Sequence, residues 1–236
     1  MAKAPKTKDS SGSKSGGGDN FTRWLVAGMV GLVVVVAVAF SLFSNRTNTA
    51  ATLPSTVKQS DGYGISFNSG IKPVIDIWED FQCPVCKNFE AVVGEYLNQL
   101  IVEKKVNVIF HTLSFIGDES ILAANAAACA SDEDKFLPFH ALLYQTQSAR
   151  ENSGLWNAES LQDLGAQVGA TSDKFTACVK DGTYAQWVAN VASDGAKKNV
   201  NSTPTVFING VEIDRNTQYF NLEAFKAALV TAGLKG

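Results

Sequence analysis

Two patterns of apolar positions succeed one another after residue 60. Strands are predicted at 63–67, which is short, at 73–78 (PVIDIW), which is a β-branched run, and at 106–115. Between the last two, residues 90–102 (EAVVGEYLNQLIV) repeat apolar side chains at the spacing of an amphipathic helix that begins near a pair of cysteines. A strand, a helix and a second strand in this order predict a parallel βαβ crossover.

The following part of the chain has helical periodicity and no strand pattern. Residues that favour helix N-caps precede three of its segments, namely Asn157, Ser172 and Thr183. We therefore expect a helical insertion over about residues 118–198, long enough to form a small subdomain. Its predicted helices are 121–130, 136–145, 158–168, 174–180 and 184–198.

The strand pattern returns near the C-terminus. In residues 205–213 (TVFINGVEI), Asn209-Gly210 separates two apolar runs, which predicts a β-hairpin. Residues 222–232 then form an amphipathic pattern that predicts a last helix. The chain from 61 to 236 is therefore expected to be an α/β domain.

The N-terminal part has a different composition. Residues 24–43 (WLVAGMVGLVVVVAVAFSLF) contain no charged residue over 20 positions, which suffices for a helix to cross a bilayer. A buried core helix is rarely so long without a polar face. A cleavable signal peptide is the stronger alternative, because Ala37-Val38-Ala39 resembles a cleavage site, but its apolar region usually spans only about 7–15 residues. We expect an uncleaved transmembrane anchor.

The charges beside this segment predict its orientation. Five basic and two acidic residues precede Trp24, whereas only Arg46 and Lys58 are basic between the segment and Gln59. The basic excess indicates a cytoplasmic tail at 1–23 and an extracytoplasmic position for the rest. Residues 44–60, which are polar and Thr-rich, are expected to be a linker.

The charge of the exported part excludes one class of partner. From Gln59 onward the chain has 13 basic and 21 acidic residues, a net formal charge of −8. So acidic a domain repels a phosphate backbone. We expect no nucleic-acid partner.

The main candidate for chemistry is the Cys83–Cys86 pair in EDFQCPVCKNFE (79–90). A cysteine at a helix N-terminus has a depressed thiol pKa and becomes a nucleophile, and a cysteine one turn later can close a disulfide with it. Pro84 suits the first helical turn. An inert structural disulfide is a weaker interpretation, because so short a loop constrains the unfolded chain little.

A zinc site is the chemical alternative for these thiols. Structural zinc needs four ligands, which often come as two such pairs. The remaining cysteines, Cys129 and Cys178, and the histidines, His111 and His140, are isolated along the chain. We therefore expect no metal and no cofactor, and we expect both histidines to be hydrogen-bonded structural residues.

Two motifs together carry a family resemblance. EDFQCPVCKNFE after a strand, followed by a helical insertion and STPTVFING (202–210), resembles the DsbA-like thiol–disulfide oxidoreductases, and the membrane-anchored actinobacterial type in particular. The resemblance implies a thioredoxin fold with an inserted all-α subdomain, here preceded by one N-terminal transmembrane helix. It implies that Cys83 exchanges with substrate, that Cys86 resolves, and that a cis Pro204, preceded by Thr203, faces the pair.

The motif departs from the family at two positions. Strongly oxidising members often carry histidine where Val85 stands. The motif therefore does not determine how strongly oxidising this cysteine pair is. Many relatives hold a buried carboxylate six residues before the first cysteine, where this chain has Ile77. Acidic residues occur nearby, at Asp76, Glu79 and Asp80, and we expect them to be solvated charges.

The two remaining cysteines are expected to form a structural disulfide. Extracytoplasmic cysteines are more often paired than free, and relatives similar to this chain have a second bridge. The Cys129–Cys178 loop of about 50 residues would contribute on the order of 4 kcal/mol. Two buried apolar thiols remain the alternative.

The resemblance implies an enzyme that donates the Cys83–Cys86 disulfide to exported proteins with reduced cysteines. A quinone-linked membrane partner would then reoxidise the pair. An isomerase or reductase, for example in cytochrome maturation, is one alternative, which the absent histidine favours. A non-catalytic binding module is another, which the intact cysteine pair and the Thr203-Pro204 step disfavour.

Overall fold

The computed structural model describes residues 51–235. Within them, a five-stranded sheet is combined with seven α-helices and one short 3-10 helix. The strands are β1 (Ile65–Phe67), β2 (Val74–Glu79), β3 (Asn107–Thr112), β4 (Thr205–Ile208) and β5 (Val211–Glu212). The helices are α1 (Pro84–Val102), α2 (Asp118–Ser131), α3 (Phe136–Thr146), α4 (Ala158–Gln167), α5 (Asp173–Asp181), α6 (Ala185–Lys197) and α7 (Leu222–Thr231).

The sheet is mixed, with strand order β1-β3-β2-β4-β5. β2 and β3 pair in parallel, so the predicted βαβ crossover through α1 is confirmed, and the other pairs are antiparallel. Asn209 (φ 50°) and Gly210 (φ 81°) connect β4 to β5. Two positive φ values in a two-residue turn are the geometry that Asn-Gly favours, which explains the predicted hairpin.

Five helices, α2 to α6, lie between β3 and β4. Two of the proposed N-caps are present: the Asn157 side chain accepts from the Ser160 N–H, and the Ser172 side chain accepts from the Phe175 N–H. The third is wrong, because α6 begins after Tyr184 and has no side-chain cap. Its buried face, which includes Trp187, anchors that helix instead.

Aromatic packing holds α1 against the C-terminal part of the domain. Phe89 is fully buried, and its ring lies 5.6 Å from Tyr219 and 6.1 Å from Phe225 between centroids. Val93 and Leu97 continue the buried face of this helix. These contacts pack α1 against Tyr219 and α7.

The predicted tail and anchor, 1–23 and 24–43, lie outside the described residues, as does the beginning of the 44–60 linker. Over residues 51–235, none of the helices combines the length and the apolar character needed to cross a membrane.

Candidate active site

The two central cysteines occupy different positions at the start of α1. Cys83 is the N-cap residue with extended backbone, Pro84 opens the helix, and Cys86 lies inside its first turn. Cys83 is 7% exposed and Cys86 is fully buried, and both are free thiols. The pair is therefore in its reduced state, and Cys83 is the thiol that solvent can reach.

The surroundings lower the pKa of one thiol and raise the pKa of the other. A hydrogen bond from the Cys86 thiol lowers the pKa of Cys83 to about 6, and bonds from Thr203 and from the N–H groups of Cys86 and Val85 act in the same direction against burial. Burial raises the pKa of Cys86, and the neighbouring Cys83 and Glu79 charges raise it further. At neutral pH, Cys83 is therefore a thiolate and Cys86 its hydrogen-bond donor.

The Thr203–Pro204 segment lies against the cysteine pair. This peptide bond is cis, and Sγ of Cys83 lies 3.6 Å from the Thr203 carbonyl oxygen, to which the thiol donates when it is protonated. Arg215 steadies the adjacent loop by donating to the hydroxyls of Ser202 and Thr205. The structure thus brings the cysteines Cys83 and Cys86 together with Thr203 and Pro204. About half of the chain separates the first pair from the second.

Two buried side chains shape the turn before Cys83. The Asp80 carboxylate accepts from the Gln82 N–H at 2.9 Å, from the Ser120 hydroxyl at 2.6 Å and from the Ile116 N–H at 3.1 Å. Burial nevertheless raises the pKa of Asp80. Gln147 donates from its amide to the carbonyl oxygens of Phe81 and Cys83, at 2.6 and 3.1 Å. These bonds fix the backbone that presents Cys83.

The expectation that Glu79 and Asp80 are solvated is wrong, because both are fully buried. Glu79 ends β2 below the cysteines, and its Oε1 lies 2.5 Å from Nε2 of His140 on α3. Burial lowers the pKa of His140, but the charges of Glu79 and Glu90 outweigh it and raise the pKa overall. Burial raises the pKa of Glu90 to about 8.

The histidines are both buried and hydrogen-bonded. His111 lies 3.2 Å from the Gly62 carbonyl oxygen and 3.1 Å from Asp76, and it stacks on Trp78. His111 is therefore part of the core. None of these contacts involves the cysteine pair. His140, in contrast, belongs to a cluster of ionisable side chains with Glu79 and Glu90.

Cys129 and Cys178 form a disulfide that joins α2 to α5, with 5.9 Å between their Cα atoms. This bond lies in the helical insertion, apart from the reactive pair. Val85, which stands where strongly oxidising relatives often carry histidine, is 42% exposed.

Comparisons with known proteins agree with this geometry. A family model described as thioredoxin matches residues 68–228. The chain is 26% identical to a probable disulfide bond formation protein D of Bacillus cereus, over 76% of this chain and 83% of that protein.

Solved structures are also similar. A thiol-disulfide oxidoreductase, MdbA, from Actinomyces oris has a TM-score of 0.65 and 25% identity, over 79% of this chain and 94% of that one. Reduced DsbA from Mycobacterium tuberculosis has a TM-score of 0.59 and 26% identity, over 76% of this chain and 89% of its own.

Proposed function

This chain belongs to the thioredoxin family as a DsbA-like thiol–disulfide oxidoreductase, and from that premise we propose that it donates the Cys83–Cys86 disulfide to exported proteins as they fold. The observation that carries the proposal is the unequal acidity of the pair. Cys83, with a pKa of about 6, is a stable thiolate and a good leaving group, so the reduced enzyme is favoured once the disulfide has been transferred.

The reaction begins with the oxidised pair. A substrate thiolate attacks Sγ of Cys83, the Cys83–Cys86 bond breaks, and Cys86 leaves and takes up a proton. A second substrate thiolate then attacks the substrate sulfur of the mixed disulfide and releases Cys83 as thiolate. The substrate loses two electrons and gains a disulfide, and the cysteine pair gains those electrons. Thr203 and Pro204, beside Cys83, are the proposed contacts for the extended substrate segment.

The reduced pair must return its electrons to an acceptor. We assign this step to a quinone-linked membrane protein, a partner that the family resemblance suggests. The predicted anchor at 24–43 would keep the enzyme on the same membrane as this partner.

A reductase or isomerase is the second candidate, and Val85 favours it. This side chain carries no positive charge to stabilise the Cys83 thiolate further.

The reduction potential of Cys83–Cys86 separates the two functions. It is measured on the full-length chain in detergent, with Cys129–Cys178 intact, by equilibration with glutathione and mass-tagging of free thiols. We expect a value of about −120 to −150 mV, near that of the oxidant DsbA, whereas a value of about −180 mV would indicate an isomerase. A value near about −270 mV, that of thioredoxin, would overturn the oxidase proposal and leave the reductase.

A further inference from the structure

Three ionisable side chains meet in the interior beneath the cysteine pair. Glu79 ends β2, Glu90 lies one turn after Cys86 on the same face of α1, and His140 comes from α3. One potential ligand atom from each residue lies within 4.8 Å of those of the other two. The transfer of electrons between Cys83 and a substrate does not require such a cluster.

Two oxygen atoms of this cluster are buried without a partner. Oε2 of Glu79 and Oε1 of Glu90 accept no hydrogen bond from any residue in the 51–235 range. Glu79 is fully buried. A buried carboxylate oxygen without a donor is costly, and buried charges are normally paired or bound to a metal.

We propose that Glu79, Glu90 and His140 bind a divalent transition-metal ion of the zinc class, with water completing its coordination. Imidazole nitrogen and carboxylate oxygen are both zinc ligands, and a zinc site with three protein ligands takes water in its fourth position. Calcium and magnesium prefer a shell made only of oxygens, so the imidazole disfavours them. The two carboxylates also balance the double positive charge.

The imidazole is held in place by aromatic rings. His140 packs against Phe81, Phe110, Phe136 and Tyr144, with centroid distances of 4.9 to 5.5 Å. Metal–ligand bonds of about 2.0–2.2 Å place tetrahedral ligand atoms roughly 3.3–3.6 Å apart. The cluster therefore closes around an ion by rotation of the two carboxylates, while the Glu79–His140 contact opens.

An entry route exists on the outer side of the cluster. Glu90 and Tyr144 line a cavity of about 430 Å³ between α1 and α3, together with Glu95 and Ala141. A hydrated ion can reach Glu90 through this cavity and exchange water for protein ligands. Once bound, it would connect β2, α1 and α3.

The test uses the full-length chain in detergent, stripped of metal with a chelator and with Cys83–Cys86 oxidised, so that these thiols cannot bind metal. Co²⁺ is titrated first as a spectroscopic probe, and Zn²⁺ then displaces it. We expect one equivalent of each, with the absorption of nitrogen and oxygen ligation and no thiolate-to-cobalt charge-transfer band.

A matched pair of substitutions locates the site. Glu90→Gln removes a ligand and keeps its shape, whereas Glu95→Gln changes an exposed carboxylate that lines the same cavity. We expect Zn²⁺ affinity to fall at least about tenfold in E90Q and to stay within about twofold of wild type in E95Q. Zinc should also raise the thermal midpoint of wild type and E95Q, and not that of E90Q.

Three results would overturn the site: no stoichiometric binding by the oxidised wild type, equal losses in E90Q and E95Q, or sulfur ligation. The first would mean that the cluster balances its charge with protons alone. X-ray absorption of the zinc-loaded wild type identifies the ligand atoms without any substitution, so a misfolded variant leaves the test intact. Binding to the oxidised protein involves no turnover, so its failure is distinct from failure of the oxidase proposal.

Discussion

The acidity of Cys83 is set by donors that converge on one sulfur atom. The Cys86 thiol contributes most, and Thr203 and the N–H groups of Val85 and Cys86 add to it. Burial of the sulfur opposes these bonds. Because the strongest donor is a side chain, it can be tested by substitution without altering the backbone.

Replacing Cys86 by alanine should raise the pKa of Cys83 above about 6, because its first donor is lost. Cys86→Ser retains a hydroxyl donor and should keep most of the shift. In wild type, alkylation of Cys83 should accelerate as pH rises through about 6 and level off above it, because the thiolate is the reactive form. The measurement is the pH profile of alkylation, followed by mass spectrometry; coincident profiles for the alanine and serine variants would exclude this role of Cys86.

At the scale of elements, the site depends on contacts between the end of β2 and the helices of the insertion. Gln147, just after α3, bonds two carbonyl groups of the turn before α1. The Asp80 carboxylate accepts a hydrogen bond from the Ser120 hydroxyl of α2. The insertion therefore supports the turn that presents Cys83.

Gln147→Ala should lower the free energy of unfolding by about 1–3 kcal/mol, because it leaves the Phe81 carbonyl oxygen without its donor and removes one of the two donors to the Cys83 carbonyl oxygen. Gln145→Ala is the matched control, since Gln145 is exposed in the last turn of α3, two residues before Gln147. Its effect should stay within about 0.5 kcal/mol. Urea unfolding of the reduced proteins gives both values, and equal values would show that these bonds contribute nothing net.

The disulfide between α2 and α5 has a separate effect. Replacing both Cys129 and Cys178 by alanine should cost about 4 kcal/mol of stability, since the bond closes a loop with a sequence separation of 49. The reduction potential of Cys83–Cys86 should not change, because the two pairs lie in different elements. Thermal and urea unfolding measure the first effect; a loss below about 1 kcal/mol would rule out a stabilising role.

At the scale of the whole molecule, the chain combines three parts with different compositions. A basic, Gly/Ser-rich tail and an uncharged segment at 24–43 precede an acidic domain that carries the cysteines. The charge asymmetry predicts that the domain is on the outer side.

Full-length protein should remain with membranes after an alkaline carbonate wash. A double substitution, V34D with V35D, should release it or block its export, since each carboxylate at the centre of a span costs roughly 2.5–3.5 kcal/mol. Protease added to intact spheroplasts should digest the wild-type domain. A soluble exported product that begins just after Ala39 would instead establish the signal peptide.

Local patterns were sufficient for most elements and for the reactive pair. Residues 90–102 repeat apolar positions at helical spacing, and Asn209-Gly210 selects its turn through positive φ, so both could be predicted. The start of α6 could not be predicted from Thr183, because packing of Trp187 outweighs the weak capping preference of that residue.

Sequence alone therefore determined the helix that carries Cys83 and Cys86, since a helix and its first turn depend on neighbours within a few positions. Only the tertiary structure decided the burial of Glu79 and Asp80 and their partners. Glu79 meets His140 across 61 positions, and Asp80 meets Ser120 across 40. Such contacts require the insertion to fold back onto the sheet, and the free energy of a buried charge depends on what surrounds it in space, which no local period encodes.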